Sequence, residues 1–474
     1  MEAPISERET VDLHLHVVQS IRLSDDAMKQ VFQAGVKDPR KESHSSLKAE
    51  ALPSWLRRFN EYGRVYDHLV GVELRGGEAE DLRVDLARRK VLGRTSIAPY
   101  IGPQGIEAFL VFDYRTMQWF ALYELALTFP LAHLLDMTDS APEARETVRG
   151  ASRLDLYNTL RNVFVNSDGI EEKTAWVADA EAEARRRIVQ VVATLSGVSL
   201  ALDDVNVVES NGNVTNFFIP RGVSDEGLKK LRDQLRQTNR YAERIDEDVD
   251  PVFEDEHVFY LFKGRFHTIM LDDARKEVQY MPIQFHAQYL WCYLSTMSAL
   301  VRDAEDSMLA KRFGKSSRKD SVSMDAIINS VQYAVFMNAG FKRAIESDGE
   351  LIFKKIEKLW HLESSLGQLE KFSEHLSGHL QRAYQRFSSD AERRQSNALF
   401  LLSALQILAL LSVWADYLSL LKGDAAAMAM RLDPFSLVFG GVGGLQWFNA
   451  VLPLVLIAFS TLLILYVAIS RRKK

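Results

Sequence analysis

Apolar and polar positions follow two different periods along this chain. Val11, Leu13, Leu15 and Val17 are separated by polar residues, the period-2 pattern of a strand with one face on a core. Further strands are expected at Leu69–Leu74, Phe109–Tyr114, Trp119–Tyr123 and Asn216–Ile219. Val258–Phe262 and Phe266–Leu271 flank Lys263-Gly264-Arg265, a short glycine turn that predicts a hairpin. Helical patterns cover Glu171–Leu195 and Asp225–Glu243. The mixture predicts an α+β or α/β unit over residues 1–281.

Beyond Pro282 the texture changes, because no proline occurs again until Pro434. A proline in a helix interior costs ~3 kcal/mol, so this absence suits long helices. They are expected at Ile283–Phe313, Ser323–Ser347 and Glu350–Leu421, with residues 282–396 forming a helical stalk. The third has a seam of Ile352, Ile356, Leu359, Leu362, Leu366, Leu369, Phe372, Leu376, Leu380, Ala383 and Phe387. Its steps of three and four average about 3.5 residues, the coiled-coil period. The alternative is a helical hairpin or several shorter helices with a break near Ser388–Asp390.

Two apolar runs close the chain. Residues 397–421 and 445–470 each approach or exceed the ~20 apolar residues that a bilayer core needs, and so predict two membrane spans. Arg393 and Arg394 precede the first run, and Arg471, Arg472, Lys473 and Lys474 follow the second. The positive-inside rule then puts both termini in the cytoplasm, with 422–444 as an external loop and 471–474 as a basic tail. Trp414 and Trp447 would sit at the interface as anchors, with Arg471 and Arg472 on the inner side. The N-terminal residues show no basic segment followed by an apolar stretch, so no signal peptide is expected. A multi-pass protein of the cell's inner membrane is the resulting expectation.

Charge narrows the partners. With 58 basic and 64 acidic residues the net charge is −6, which argues against generic nucleic-acid binding. Cys292 is the only cysteine, so neither an intrachain disulfide nor a multi-thiolate zinc site can form.

An α/β domain, a stalk helix running into the first of two C-terminal spans, and a short basic tail resemble the CorA family of divalent-cation transporters. The likeness covers the layout of roughly residues 200–474. It implies five subunits around one pore lined by the first span, gated by the domain ahead of it, and transport rather than enzymatic activity. The family's Gly-Met-Asn signature is replaced here by Ser419-Leu420-Leu421-Lys422-Gly423-Asp424-Ala425, so no filter residue carries over. CorA-like proteins without the signature also serve as effectors in nucleotide-signalled defence, which implies a cytosolic small-molecule ligand or a protein signal as the alternative.

Three sets of residues carry candidate chemistry. Asp12-Leu13-His14-Leu15-His16 would put both imidazoles on one strand face, as strand-borne metal ligands require, although an ordinary polar face is the commoner outcome. The run Glu243–Glu256 is rich in carboxylates. Asp246, Asp248, Asp250 and Glu254 are its candidate oxygen ligands for a divalent cation such as Mg²⁺. Gln406, Ala409, Val413 and Asp416 follow 3-4-3 spacing on one helical face and are the expected pore lining. Gly440–Gly444 lacks the Lys-Ser/Thr of a phosphate-binding loop, and no catalytic residues are expected.

Overall fold

In the computed structural model, residues 9–42, 47–88, 98–138, 175–207, 213–239, 252–255, 258–263, 266–310 and 318–423 are described, with scattered positions between 451 and 461. The elements in chain order are β1 (Thr10–Leu23), α1 (Asp25–Ala34), α2 (Ser54–Gly63), β2 (Leu69–Gly77), α3 (Ala79–Arg88), β3 (Ile101–Asp113), β4 (Gln118–Pro130) and α4 (Leu131–Thr138). After these come α5 (Ala175–Ser196), β5 (Val205–Val207), β6 (Asn213–Arg221), α6 (Asp225–Asn239), β7 (Val252–Glu254), β8 (Val258–Lys263) and β9 (Phe266–Leu271). Four helices follow, namely α7 (Glu277–Ala310), α8 (Arg318–Ala344), α9 (Ser347–Leu359) and α10 (Leu362–Gly423). The chain divides into two compact units, Met1–Gly378 and His379–Lys474.

The first unit is built on a nine-stranded sheet of order β2-β3-β4-β1-β6-β9-β8-β7, with β5 paired to the end of β1. Its pairings are antiparallel except β6 with β9. The expected strands and the β8–β9 hairpin all form. At the centre, β1 has β4 on one side and β6 on the other, which fixes the alternation of its side chains.

Val11, Leu13, Leu15 and Val17 point to one face and are at most 1% exposed. Helix α5 covers that face through Trp176, which meets Tyr123 edge-on beside Val17. The even-numbered residues point to the other face, where Phe285 and Tyr289 of α7 pack on Phe120. Both faces of β1 are therefore buried, and the half-buried strand expected from alternation is instead the middle of three layers.

The helical half starts earlier than its proline suggests. Pro282 lies inside α7, five residues past the N-terminus at Glu277. Near the start of a helix the missing proline N–H costs one bond of the ladder, and packing on the sheet offsets it. The single helix expected from Glu350 breaks at Trp360–His361, where His361 takes φ 52° and starts α10, so the break lies well before Ser388. Leu362, Leu366, Leu369, Leu376 and Leu380 of the seam are buried, whereas Phe372 is 50% exposed. The side chains of Ala383 and Phe387 lie outside those described.

The C-terminal expectation needs correction. Among the described residues, no helix is long and apolar enough to cross a membrane. Helix α10 carries the first apolar run at its end, and its side chains beyond Val413 lie outside those described. The second run is described only at isolated positions. The two spans, the CorA-like fold, the ion-transport role and the multi-pass inner-membrane placement are corrected on this ground to a mixed α/β sheet domain with long helices.

Candidate functional site

The sheet register aligns one polar residue from each of five neighbouring strands. Glu107 of β3 lies opposite Glu124 of β4, Glu124 opposite His16, His16 opposite Thr215 of β6, and Thr215 beside His267 of β9. All five share one face of the sheet, with Glu107 exposed at the end of the row. A polar row beneath a helix layer is costly unless its groups find partners.

Glu277, in the first turn of α7, supplies the main one. Its carboxylate lies 2.5 Å from His14 Nδ1 and 3.5 Å from His16 Nε2, and Glu124 lies 3.8 Å from His16 Nδ1. The contacts of His16 are ion pairs without hydrogen-bond geometry, since neither ring nitrogen is properly bonded. Burial pushes the His16 imidazolium down, but Glu124 and Glu277 outweigh it and raise its pKa to about 10. Burial pushes Glu277 up, and the two histidines outweigh that and bring it to about 2. Glu124 is also held by the Trp55 indole, which donates to Oε1 at 2.7 Å, and Phe217 meets the His16 ring edge-on. Asp12 points to the same face, where it pairs with Arg221 at 2.5 Å and accepts from Thr128 Oγ1 at 2.9 Å.

A second buried carboxylate lies further along α7. Asp113, fully buried at the end of β3, accepts from the backbone N–H of Arg115 and Thr116, from Thr116 Oγ1 at 2.6 Å, and from the Tyr289 hydroxyl. His68 Nε2 lies 3.2 Å away, and the Tyr333 hydroxyl meets His68 Nδ1 at 2.6 Å. Burial raises the Asp113 pKa, but His68 and the two hydroxyls outweigh it and hold it at about 2. Two more histidines, His267 and His286, are kept neutral by burial, which lowers both to about 3.

Three further buried side chains near the row carry polar atoms with no hydrogen-bond partner. They are both amide atoms of Asn213, the Thr215 hydroxyl and the Gln284 carbonyl oxygen, on residues at most 1% exposed. Each such atom left unmet costs ~1–3 kcal/mol, and four would approach the whole stability of a typical domain.

The other expected sites fare differently. His14 and His16 do share a face, yet among the described residues no three His, Cys, Asp or Glu side chains are grouped to hold a metal. Asp246, Asp248 and Asp250 lie outside the described residues. Glu254, in β7, is engaged by Arg232 at 3.1 Å and by Arg236. Gln406, Ala409 and Val413 are exposed on α10, and the side chain of Asp416 is outside those described. So are the Trp414 side chain, Trp447, Arg471 and Arg472. An open pocket of 620 Å³ lined by Glu73, Glu78, Glu80, Glu107 and Arg83 was not foreseen.

Comparison with known proteins adds no identity. No protein-family model matches the chain, and a search of curated proteins finds no significant relative. Neither comparison lends support to the CorA resemblance.

Proposed function

We propose that the protein works as a homo-oligomer assembled through α10, with its sheet domain acting as a binding module rather than an enzyme. The observation that carries this is the exposure of large apolar residues on α10. Leu399, Leu401, Leu402, Leu405, Leu410 and Val413 are each 55–66% exposed in the single chain. At 100° per residue they fall within one half of the helix circumference. So wide an apolar face on a helix is normally packed against a neighbour. Fully burying each of these side chains contributes ~1.5–3 kcal/mol, so six per copy are of the size needed to offset the ~4–15 kcal/mol entropic cost of association.

The non-catalytic part of the proposal is supported by the sheet domain. Its two densest titratable clusters close on themselves, with each buried charge compensated by a partner from another element. Such clusters hold helices in place, and a catalytic group would need a free side toward substrate.

Light scattering on the full chain tests the assembly. Wild-type protein is expected to give a closed multiple of 53.8 kDa, and Leu402→Glu with Leu405→Glu to give the monomer with the sheet domain still folded. A wild-type monomer at every concentration refutes the assembly, as does a double variant of unchanged mass.

A further inference from the structure

The break between α9 and α10 is not written in the residues that make it. A helix commonly ends on a residue in the left-handed conformation, and that residue is usually glycine because a Cβ disfavours it. Here it is His361, at φ 52°, and neither glycine nor proline occurs from Glu350 to Leu366. The His361 N–H bonds the Lys358 carbonyl at 3.3 Å, and its carbonyl accepts from the Ser365 N–H at 3.0 Å. The interruption therefore spans only Trp360 and His361. Across it Ile352, Ile356, Leu359, Leu362, Leu366 and Leu369 keep steps of three and four, as one continuous helix would.

Contacts from other elements hold the break instead. The Trp360 ring meets His267 of β9 edge-on, with centroids 5.5 Å apart. Lys342 of α8 reaches both sides, with its ammonium 2.9 Å from Glu357 of α9 and 3.9 Å from Glu363 of α10. In an unbroken helix, residues six apart lie about 120° apart around the axis and about 9 Å apart along it, ill placed to share one ammonium. Lys342 thus fits the bent arrangement, and local sequence favours the straight one.

We propose that α9 and α10 form a two-state element. In the bent state Trp360 rests on His267 and Lys342 bridges the break. In the straight state His361 takes the helical conformation, the two helices run on as one, and Trp360 leaves the sheet. The contact at His267 thereby sets the direction in which α10 leaves α9. A packing that opposes local preference at a single residue is the kind of small free-energy gap on which such switches work. The two states belong to one chain and do not depend on assembly through α10.

Spin labels at Lys354→Cys and Phe372→Cys read the two states, because Cys292 is buried. Unbroken helix puts these positions on one face about 27 Å apart, and a bent chain shortens that distance. Diluting the doubly labelled chain into unlabelled protein leaves only distances within a chain. His361→Gly suits the left-handed conformation and His361→Ala suits the helix, and the residue is exposed, so neither disturbs the core. The ratio of straight to bent chains is expected to rise about tenfold or more from His361→Gly to His361→Ala, with wild type between them. Trp360→Ala should also raise it above wild type. Equal distributions in the glycine and alanine variants, a Trp360→Ala chain no straighter than wild type, or no population near ~27 Å in any of these proteins overturns the proposal.

Discussion

Strand β1 shows two solutions to the same problem. Its odd face, Val11, Leu13, Leu15 and Val17, is apolar and needs only close packing to be buried. Its even face carries Asp12 and His16, which are 7% and 6% exposed, and His14, which is half-buried. That face is tolerated because Arg221, Glu124 and Glu277 come from three other elements to meet it. The apolar face depends on volume alone. The polar face depends on which partner arrives, so its residues fix where α7 begins on the sheet. Buried ion pairs are poor sources of net stability but are costly to break.

Acid should separate the two faces most widely. His267 and His286 are lowered to about 3, so below pH 6.5 the unfolded chain takes up protons that the folded chain refuses. Stability then falls as the pH drops from 6.5. Glu277 and Asp113, both lowered to about 2, add to the loss once the pH passes below their ordinary values of 4.5 and 3.8. His16 acts on the other side of neutrality. Its pKa is raised to about 10, so its contribution is complete below 6.5 and fades as the pH rises to 10. Urea unfolding across this range should therefore show a maximum near pH 6.5 with a loss on either side. A flat profile from pH 4 to 7 would mean the histidines are not buried as described.

Single substitutions give the next largest effects. Glu277→Ala strands His16 against Glu124 alone and should cost ~3–5 kcal/mol, as removing one partner of a buried pair does. Leu13→Ala on the apolar face should cost ~2–5 kcal/mol through the cavity it leaves. The two differ in their pH response. The Leu13→Ala profile should run parallel to wild type, whereas Glu277→Ala should lose much of the decline between pH 4.5 and 2. Equal profiles for the two variants would remove the distinction between the faces. The smallest effect is expected from Trp55→Phe, which deletes the indole donor to Glu124 and should cost ~1 kcal/mol in the same unfolding experiment.

Much of this arrangement was legible along the chain, and the missing parts have physical causes. Alternation over Val11–Val17 identified the strand and put His14 and His16 on one face, but alternation cannot say whether a polar face meets water or a helix. Glu124 lies one residue beyond the expected strand Trp119–Tyr123. Glu277 was missed because Pro282 looked like a boundary, whereas the helix starts five residues before it. Both partners of His16 thus sat just outside expected elements, and their meeting is long-range. The break at His361 left no mark in the seam, because Ile356, Leu359 and Leu362 keep the helical spacing across it. In the C-terminal runs, hydropathy predicts two spans, yet among the described residues no helix is long and apolar enough to cross a membrane.

Assembly of copies around α10 can be tested at a single position. Cys292 is buried and is the only cysteine, so a Gln406→Cys variant offers one accessible thiol on the exposed part of α10 for a spin label. Dipolar spectroscopy on the full chain, labelled at that position alone, would then read distances between copies. Assembly through α10 predicts a resolved dipolar oscillation, which disappears when labelled chains are diluted into an excess of unlabelled ones. A featureless decay at every protein concentration would contradict it.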